Sequence, residues 1–300
     1  MLRFLLELVP SLLIGFWAGR RHETLSARLA SPLVRFGVPI SVMGLLLKGG
    51  LSGDMLQAAG LAVLAMGLVL VGAARLPGLA QLASPTLRLG SCTGNTAYFG
   101  VPLALAFLPP EALPISIGYD LGATLLTWSL GPLLIGSQAN GAQRLRGLLS
   151  SVAGSPATRG LMGALLIQAT PWSAPVTDAL WWPSRCVILL ALMVVGMRLG
   201  SIHRQGMTPS ARPLQLLRPL LAKLLLYPLL LLLLAYLLQF NPLMVRAVVL
   251  QGAAPTAISL LLIAESVGAD QERAAGLVFW STLLALVTAP LWGVLLRLQF

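Results

Sequence analysis

Two stretches of an otherwise apolar chain carry side chains that can hold a ligand. The first is Ser91-Cys92-Thr93-Gly94-Asn95-Thr96-Ala97-Tyr98-Phe99-Gly100-Val101-Pro102, and the second is Gln251-Gly252-Ala253-Ala254-Pro255-Thr256-Ala257-Ile258-Ser259. Each sets glycine and proline beside neutral amides and hydroxyls. Proline has no amide donor and crowds the preceding turn, so a helix breaks or kinks there. If each helix breaks just before its proline, Pro102 and Pro255 open second half-helices, a position that suits proline. The free amides that follow carry the positive end of a helix dipole and attract an anion without a buried cation. Asn95, Thr96, Gly100, Pro102, Gln251, Pro255 and Thr256 are therefore the substrate-binding candidates. A proline kink packed by small residues is the ordinary explanation of one such stretch. Two in matching places favour a shared binding centre.

Charged groups inside apolar stretches are the second source of chemistry, because a membrane interior makes them costly. Asp120 and Lys223 are coupling candidates: Asp120 to carry a proton, Lys223 to pair with it or with the substrate. Against this, Asp120 is about one turn from the end of its stretch, and Lys223 is near enough to an end to snorkel. Glu265 reads as a solvated group at a helix end, and His22 and His203 as loop histidines. Trp17, Trp172, Trp181, Trp182 and Trp292 fit an interfacial aromatic belt. Cys92 and Cys186 have no CxxC partner or histidine cluster, so no metal or cofactor is expected. No Ser/His pair, aspartate pair or HExxH motif is present, which argues against an enzyme.

The elements that must position these groups are helices in a bilayer. Of 300 residues, 57% are hydrophobic and only 10% charged; mean hydropathy is +0.87. A soluble domain carries roughly 25% charged residues. Ten apolar stretches lie near 4–19, 33–51, 55–74, 87–108, 115–136, 157–172, 180–199, 216–239, 243–264 and 274–296. If they alternate across the membrane, the 20 Lys and Arg residues divide 15 to 5 between its sides. The positive-inside rule then places both termini outside. The net charge of +11 is explained in the same way, and nucleic-acid binding is not expected.

The halves resemble each other. Thr124-Leu125-Leu126 with Pro132-Leu133 recurs 158 residues on as Thr282-Leu283-Leu284 with Pro290-Leu291. Pro102 and Pro255 are 153 apart, and Met43 and Gly50 match Met193 and Gly200 at 150. This predicts two repeats of five helices, residues 1–145 and 146–300. An odd number inverts the second, as in many secondary transporters.

At these residues the chain resembles the auxin efflux carrier family, the bacterial relatives of the plant PIN-type carriers. The matching stretches are Gly94-Asn95-Thr96 running to Gly100-Val101-Pro102-Leu103, Gln251-Gly252 with Pro255, and Ala264-Glu265 followed by Gly268 and Asp270. Leu192 to Leu199, with Gly196-Met197, resembles the family's seventh helix. The resemblance implies an all-α polytopic fold of ten transmembrane helices, like the sodium/proton antiporters and bile-acid symporters, with broken helices four and nine crossing. Helices 1, 2, 6 and 7 would form a scaffold, dimeric in the family, and helices 3–5 and 8–10 a transport domain. It implies alternating-access transport of an organic anion such as auxin, malate or malonate across the bacterial inner membrane, with Asn95 as a substrate contact. Ser155-Pro156 stands where many relatives have Asn-Pro, so a contact from that asparagine is missing. A channel, and a sodium-coupled symporter of the bile-acid type, are the alternatives. The second needs carboxylates and amides around the ion, in which the ninth stretch is thin.

Overall fold

The structure is a computed structural model that describes residues 2–22, 25, 28–29, 32–50, 52–75, 84–136, 150, 153–154, 156–204 and 216–299. Arg144, Arg146, Ser155, Arg212 and the boundary between the expected repeats lie outside the described residues. All regular elements among the described residues are helical. They are α1 (Leu2–Arg21), α2 (Val38–Gly49), α3 (Gly53–Arg75), α4 (Pro85–Gly90), α5 (Val101–Phe107), α6 (Leu113–Ile135), α7 (Pro156–Gln168), α8 (Ser173–Arg204), α9 (Leu217–Leu221), α10 (Tyr227–Leu237), α11 (Pro242–Gly252), α12 (Ile258–Val267) and α13 (Gln271–Gln299). Four helices among the described residues are long and apolar enough to cross a bilayer: Gly53–Gly72, Ser173–Ser201, Leu217–Leu237 and Gln271–Gln299. Thr96–Phe107, Pro242–Gly252 and Ile258–Val267 are apolar but short, because glycine, proline and polar residues interrupt them.

Local sequence explains the ends. Asn241 caps α11 by accepting from the Met244 amide at 2.8 Å, with Pro242 at the first helical position, a favoured pairing of cap and proline. Gly268 ends α12 at φ 68°, the left-handed conformation that glycine adopts freely. Its amide bonds to Glu265 and that of Ala269 to Ala264, which is the Schellman pattern.

Three prolines are absorbed in one way. Leu33–Gly37, Thr96–Gly100 and Ala222–Leu226 are π turns, each followed by one residue and then Pro39, Pro102 or Pro228. In each, the residue before the proline donates to a carbonyl five residues back: Val38 to Leu33, Val101 to Thr96, Tyr227 to Ala222. The wider turn relieves the crowding that a proline ring imposes on the carbonyl four residues before it. For Pro228 that carbonyl is Leu224, and it accepts from the indole of Trp292 on α13 at 3.0 Å. Trp292 is thus a buried donor rather than a member of an interfacial belt. Trp17, Trp172 and Trp182 are exposed.

Close helix packing uses glycine as a socket. A β-carbon on Gly15 or Gly19 of α1 would collide with the carbonyls of Met193 and Met197 on α8. One on Gly196 or Gly200 would strike those of Leu12 and Phe16. Gly118 and Gly122 of α6 meet Met55 and Ala59 of α3 in the same way. Small residues four apart let backbones approach where lipid supplies no hydrophobic drive. α2 packs against both α7 and α8.

Gly196→Leu is expected to lower the thermal unfolding midpoint in detergent by wedging α1 from α8, an overpacking cost of about 1–3 kcal/mol. Gly60→Ala, with open space around it, serves as the neutral control. Trp292→Phe is expected to cost about 1–3 kcal/mol in the same assay, because it leaves the buried Leu224 carbonyl unpaired.

Candidate functional site

The two interrupted stretches meet. α4 ends at Gly90, and residues 91–95 leave the helix before it resumes at Thr96; α11 ends at Gly252, and residues 253–257 do the same before Ile258. The extended pieces pair antiparallel across Gly94 and Thr256. The Asn95 amide donates to the Pro255 carbonyl at 2.7 Å, and the Ala257 amide to that of Thr93 at 3.3 Å. A backbone outside a helix is tolerated at membrane depth only when protein satisfies it, and here each break satisfies the other.

This changes the expected role of the prolines. Pro102 does not open a half-helix: the chain is helical again from Thr96, and Pro102 lies in the first turn of α5 after the π turn. Pro255 sits within the extended break, three residues before α12. The break in the first stretch comes from Gly94 and its polar neighbours, which pair with the other strand. The residues playing matching parts are Gly90 with Gly252 at the ends of α4 and α11, and Gly94 with Thr256 at the bridge, each 162 apart. The 153-residue match of Pro102 with Pro255 is not the structural correspondence.

Nor are the amides after Pro255 free. The Thr256 amide donates to the Ser281 hydroxyl at 3.0 Å, and that of Ala257 is used in the bridge. The Thr256 hydroxyl donates to the Gly90 carbonyl at 2.9 Å. Thr93 and Thr127 share a hydroxyl contact of 3.4 Å. Thr256 is therefore committed to holding the crossing.

Both coupling candidates lie at the crossing, each at a helix end of opposite sign. Asp120, buried, accepts from the Thr96 hydroxyl and lies against the Ala97 amide, at the N-terminal end of the helical run Thr96–Phe107. Lys223 is fully buried; its Nζ donates to the Gly252 carbonyl at 2.8 Å, at the C-terminal end of α11. Each charge complements the dipole it faces. Lys223 also lies 4.8 Å from the Tyr227 ring, whose hydroxyl is 2.7 Å from that of Tyr119. It neither snorkels nor pairs with Asp120, and Asp120 is at the crossing rather than at the mouth of its helix. Glu265 is exposed at the end of α12.

Two candidates keep open hydrogen-bonding capacity. Asn95 is 5% exposed and Gln251 fully buried, yet Asn95 Nδ2 and both Gln251 amide atoms have no protein partner. Buried polar atoms are nearly always bonded, and an exception asks for an explanation such as a ligand. Gln251 fits only because residue 100 is glycine: a β-carbon there would lie 2.9 Å from its Cδ and 3.3 Å from its Nε2. Beside Asp120, a cavity of about 30 Å³ is lined by Ser41 and Leu45 of α2, Ala97, Tyr98 and Val101, Ile117 of α6, and Val187 and Ala191 of α8. It joins the broken-helix region to α2 and α8.

Ser281, Thr127 and the tyrosine pair carry no signal in the sequence: Thr282 next to Ser281 belongs to the repeated Thr-Leu-Leu, and a lone serine in an apolar helix gives none of its own.

The family described as membrane transport protein, to which the auxin efflux carriers belong, matches residues 148–293. An uncharacterized transporter of Methanothermobacter thermautotrophicus is 28% identical over 213 residues, covering 70% of this chain and 67% of the relative.

Gly100→Ala is expected to displace the Gln251 amide and weaken ligand binding by about tenfold or more. Because only a flexible side-chain end has to move, the unfolding midpoint changes little. Equal binding by the two proteins in a titration would separate Gln251 from the site.

Proposed function

We propose that this chain is a member of the membrane transport protein family and a secondary transporter that carries a small organic anion by alternating access, with the anion held at the crossing of the two broken helices. The observation that carries this reading is the pair of buried, unpartnered side-chain amides, Asn95 and Gln251, at the crossing of the two broken helices. Asn95, a neutral donor at the N-terminal end of the run Thr96–Phe107, suits a carboxylate and avoids a buried salt bridge that would be slow to release it, and Gln251 adds a second neutral amide beside Gly100. Family resemblance supplies the substrate class: auxin-like acids, malate or malonate.

In this reading the ten apolar stretches form two inverted repeats. α1, α2, α7 and α8 are the scaffold, and the helices around the crossing are the moving part. Support comes from the glycine-socketed contact of α1 with α8, the packing of α2 on α7 and α8, and the equivalence of residues 162 apart at the crossing. The cavity beside Asp120 lies between the two groups. At about 30 Å³ it has room for one or two waters and not for an organic acid, so in this reading substrate enters as the groups part. A homodimer built on the scaffold, residence in the bacterial inner membrane and external termini complete the proposal.

Asn95→Ala is the test. A hydrogen bond to a charged group contributes about 1.5–3 kcal/mol, so uptake of labelled malonate, malate or indole-3-acetate into proteoliposomes at limiting substrate should fall about tenfold to a hundredfold. The variant should retain its elution profile in detergent. Undiminished transport by a folded variant would remove the crossing as the binding site, and repeating the assay with sodium replaced by choline separates the bile-acid type of coupling.

A further inference from the structure

The amide end of the helical run Thr96–Phe107 already holds an anion, and it is the protein's own. Asp120 reaches it from α6, accepting from Thr96 and lying against the Ala97 amide. Asn95, the residue in the capping position, makes no side-chain cap, and its Nδ2 is unpartnered although it is 5% exposed. A substrate carboxylate bound by Asn95 therefore arrives beside a fixed carboxylate and competes with it for the same donors. Two carboxylates sharing one site do not both stay ionised.

This inference rests on the reading of the crossing as an anion site. We propose that Asp120 is the displaceable anion of that site: the substrate carboxylate takes over its donors only when Asp120 takes up a proton, which makes transport an obligatory anion–proton symport. The proton enters from the side open to the site and leaves when the substrate does. Asp120 then returns, ionised, to Thr96. The empty carrier thus keeps its half-helix end neutralised through the return step and never presents a bare amide terminus to the membrane.

The surroundings of Asp120 suit a group that changes charge. α2 presents Ser41, and α8 presents apolar Val187, Ile188 and Ala191. α3 packs on the Gly118 and Gly122 positions of α6 through Met55 and Ala59. The turn Thr96–Gly100 presents Tyr98, a titratable neighbour. Lys223 is bonded to Gly252 on the other broken helix. The cavity of about 30 Å³ that Asp120 lines is large enough for water to deliver the proton.

The experiment counts protons. Purified full-length protein in weakly buffered detergent with a pH-indicator dye is titrated with malonate, malate and indole-3-acetate, and heat of binding is recorded in parallel. Wild type is expected to take up about one proton per anion bound, with the apparent Kd rising about tenfold per pH unit over the range where Asp120 is ionised in the empty protein. Asp120→Asn is expected to bind with no proton uptake and no such pH dependence. Binding by wild type with no dye signal at any pH would overturn the symport and leave the anion site standing. Failure of all three probes to bind would instead overturn the anion site itself, and the symport with it. If Asp120→Asn does not fold, Thr96→Val takes its place: it removes the hydroxyl that Asp120 accepts from and is expected to shift the pH dependence of proton uptake, and an unchanged profile would overturn the assignment to Asp120.

Discussion

A backbone that leaves the helix inside a membrane must find partners for every amide and carbonyl it frees, and here two such backbones find them in each other. Asn95 bonds to Pro255 and Ala257 to Thr93, while the Ser281 hydroxyl accepts from the Thr256 amide and the Thr256 hydroxyl donates to the Gly90 carbonyl. Neither break is tenable alone, since an unpaired buried group costs about 1–3 kcal/mol. This mutual dependence fixes where the helices cross, and so where polar groups gather in an otherwise apolar interior.

The crossing also brings four helix ends into the middle of the protein, and their partial charges need answering. Lys223 sits on the carbonyl end at Gly252 and Asp120 on the amide end at Thr96. The two breaks are alike in backbone but not in charge, for Asp120 comes from α6 and Lys223 from the π turn before α10. The unlike charges give each broken helix its own chemistry.

Much of this was legible from residue types. Glycine, proline and amides in the middle of apolar runs marked both breaks, and Asn95, Gln251, Asp120 and Lys223 all come together at the crossing. The rest was hidden for specific reasons. Pro102 looked like the breakpoint because proline is the strongest local signal, but a π turn absorbs it, and π turns depend on a register that propensity does not encode. Gly94 does the breaking because it pairs with Thr256, a partner 162 residues away, beyond any local window. Depth was misjudged for Asp120 because counting turns from the end of an apolar stretch ignores where neighbouring helices are cut. Trp292 was assigned to the interface from its place near a helix end, whereas its indole answers a carbonyl orphaned by Pro228 on another helix.

The three π turns carry a consequence for how such chains diverge. Each holds one residue more than an α ladder would use, and one residue is about 100° of helix rotation. Losing that residue together with its proline would restore a regular helix and leave its stability intact. It would also swing everything before the turn to a new azimuth, so that at Thr96–Gly100 the side chains of Asn95 and Thr96 would point elsewhere relative to Leu103. Single-residue gaps beside Pro39, Pro102 and Pro228 therefore mark where a related sequence would re-aim the side chains before the turn, with the buried faces of those segments repacking to match.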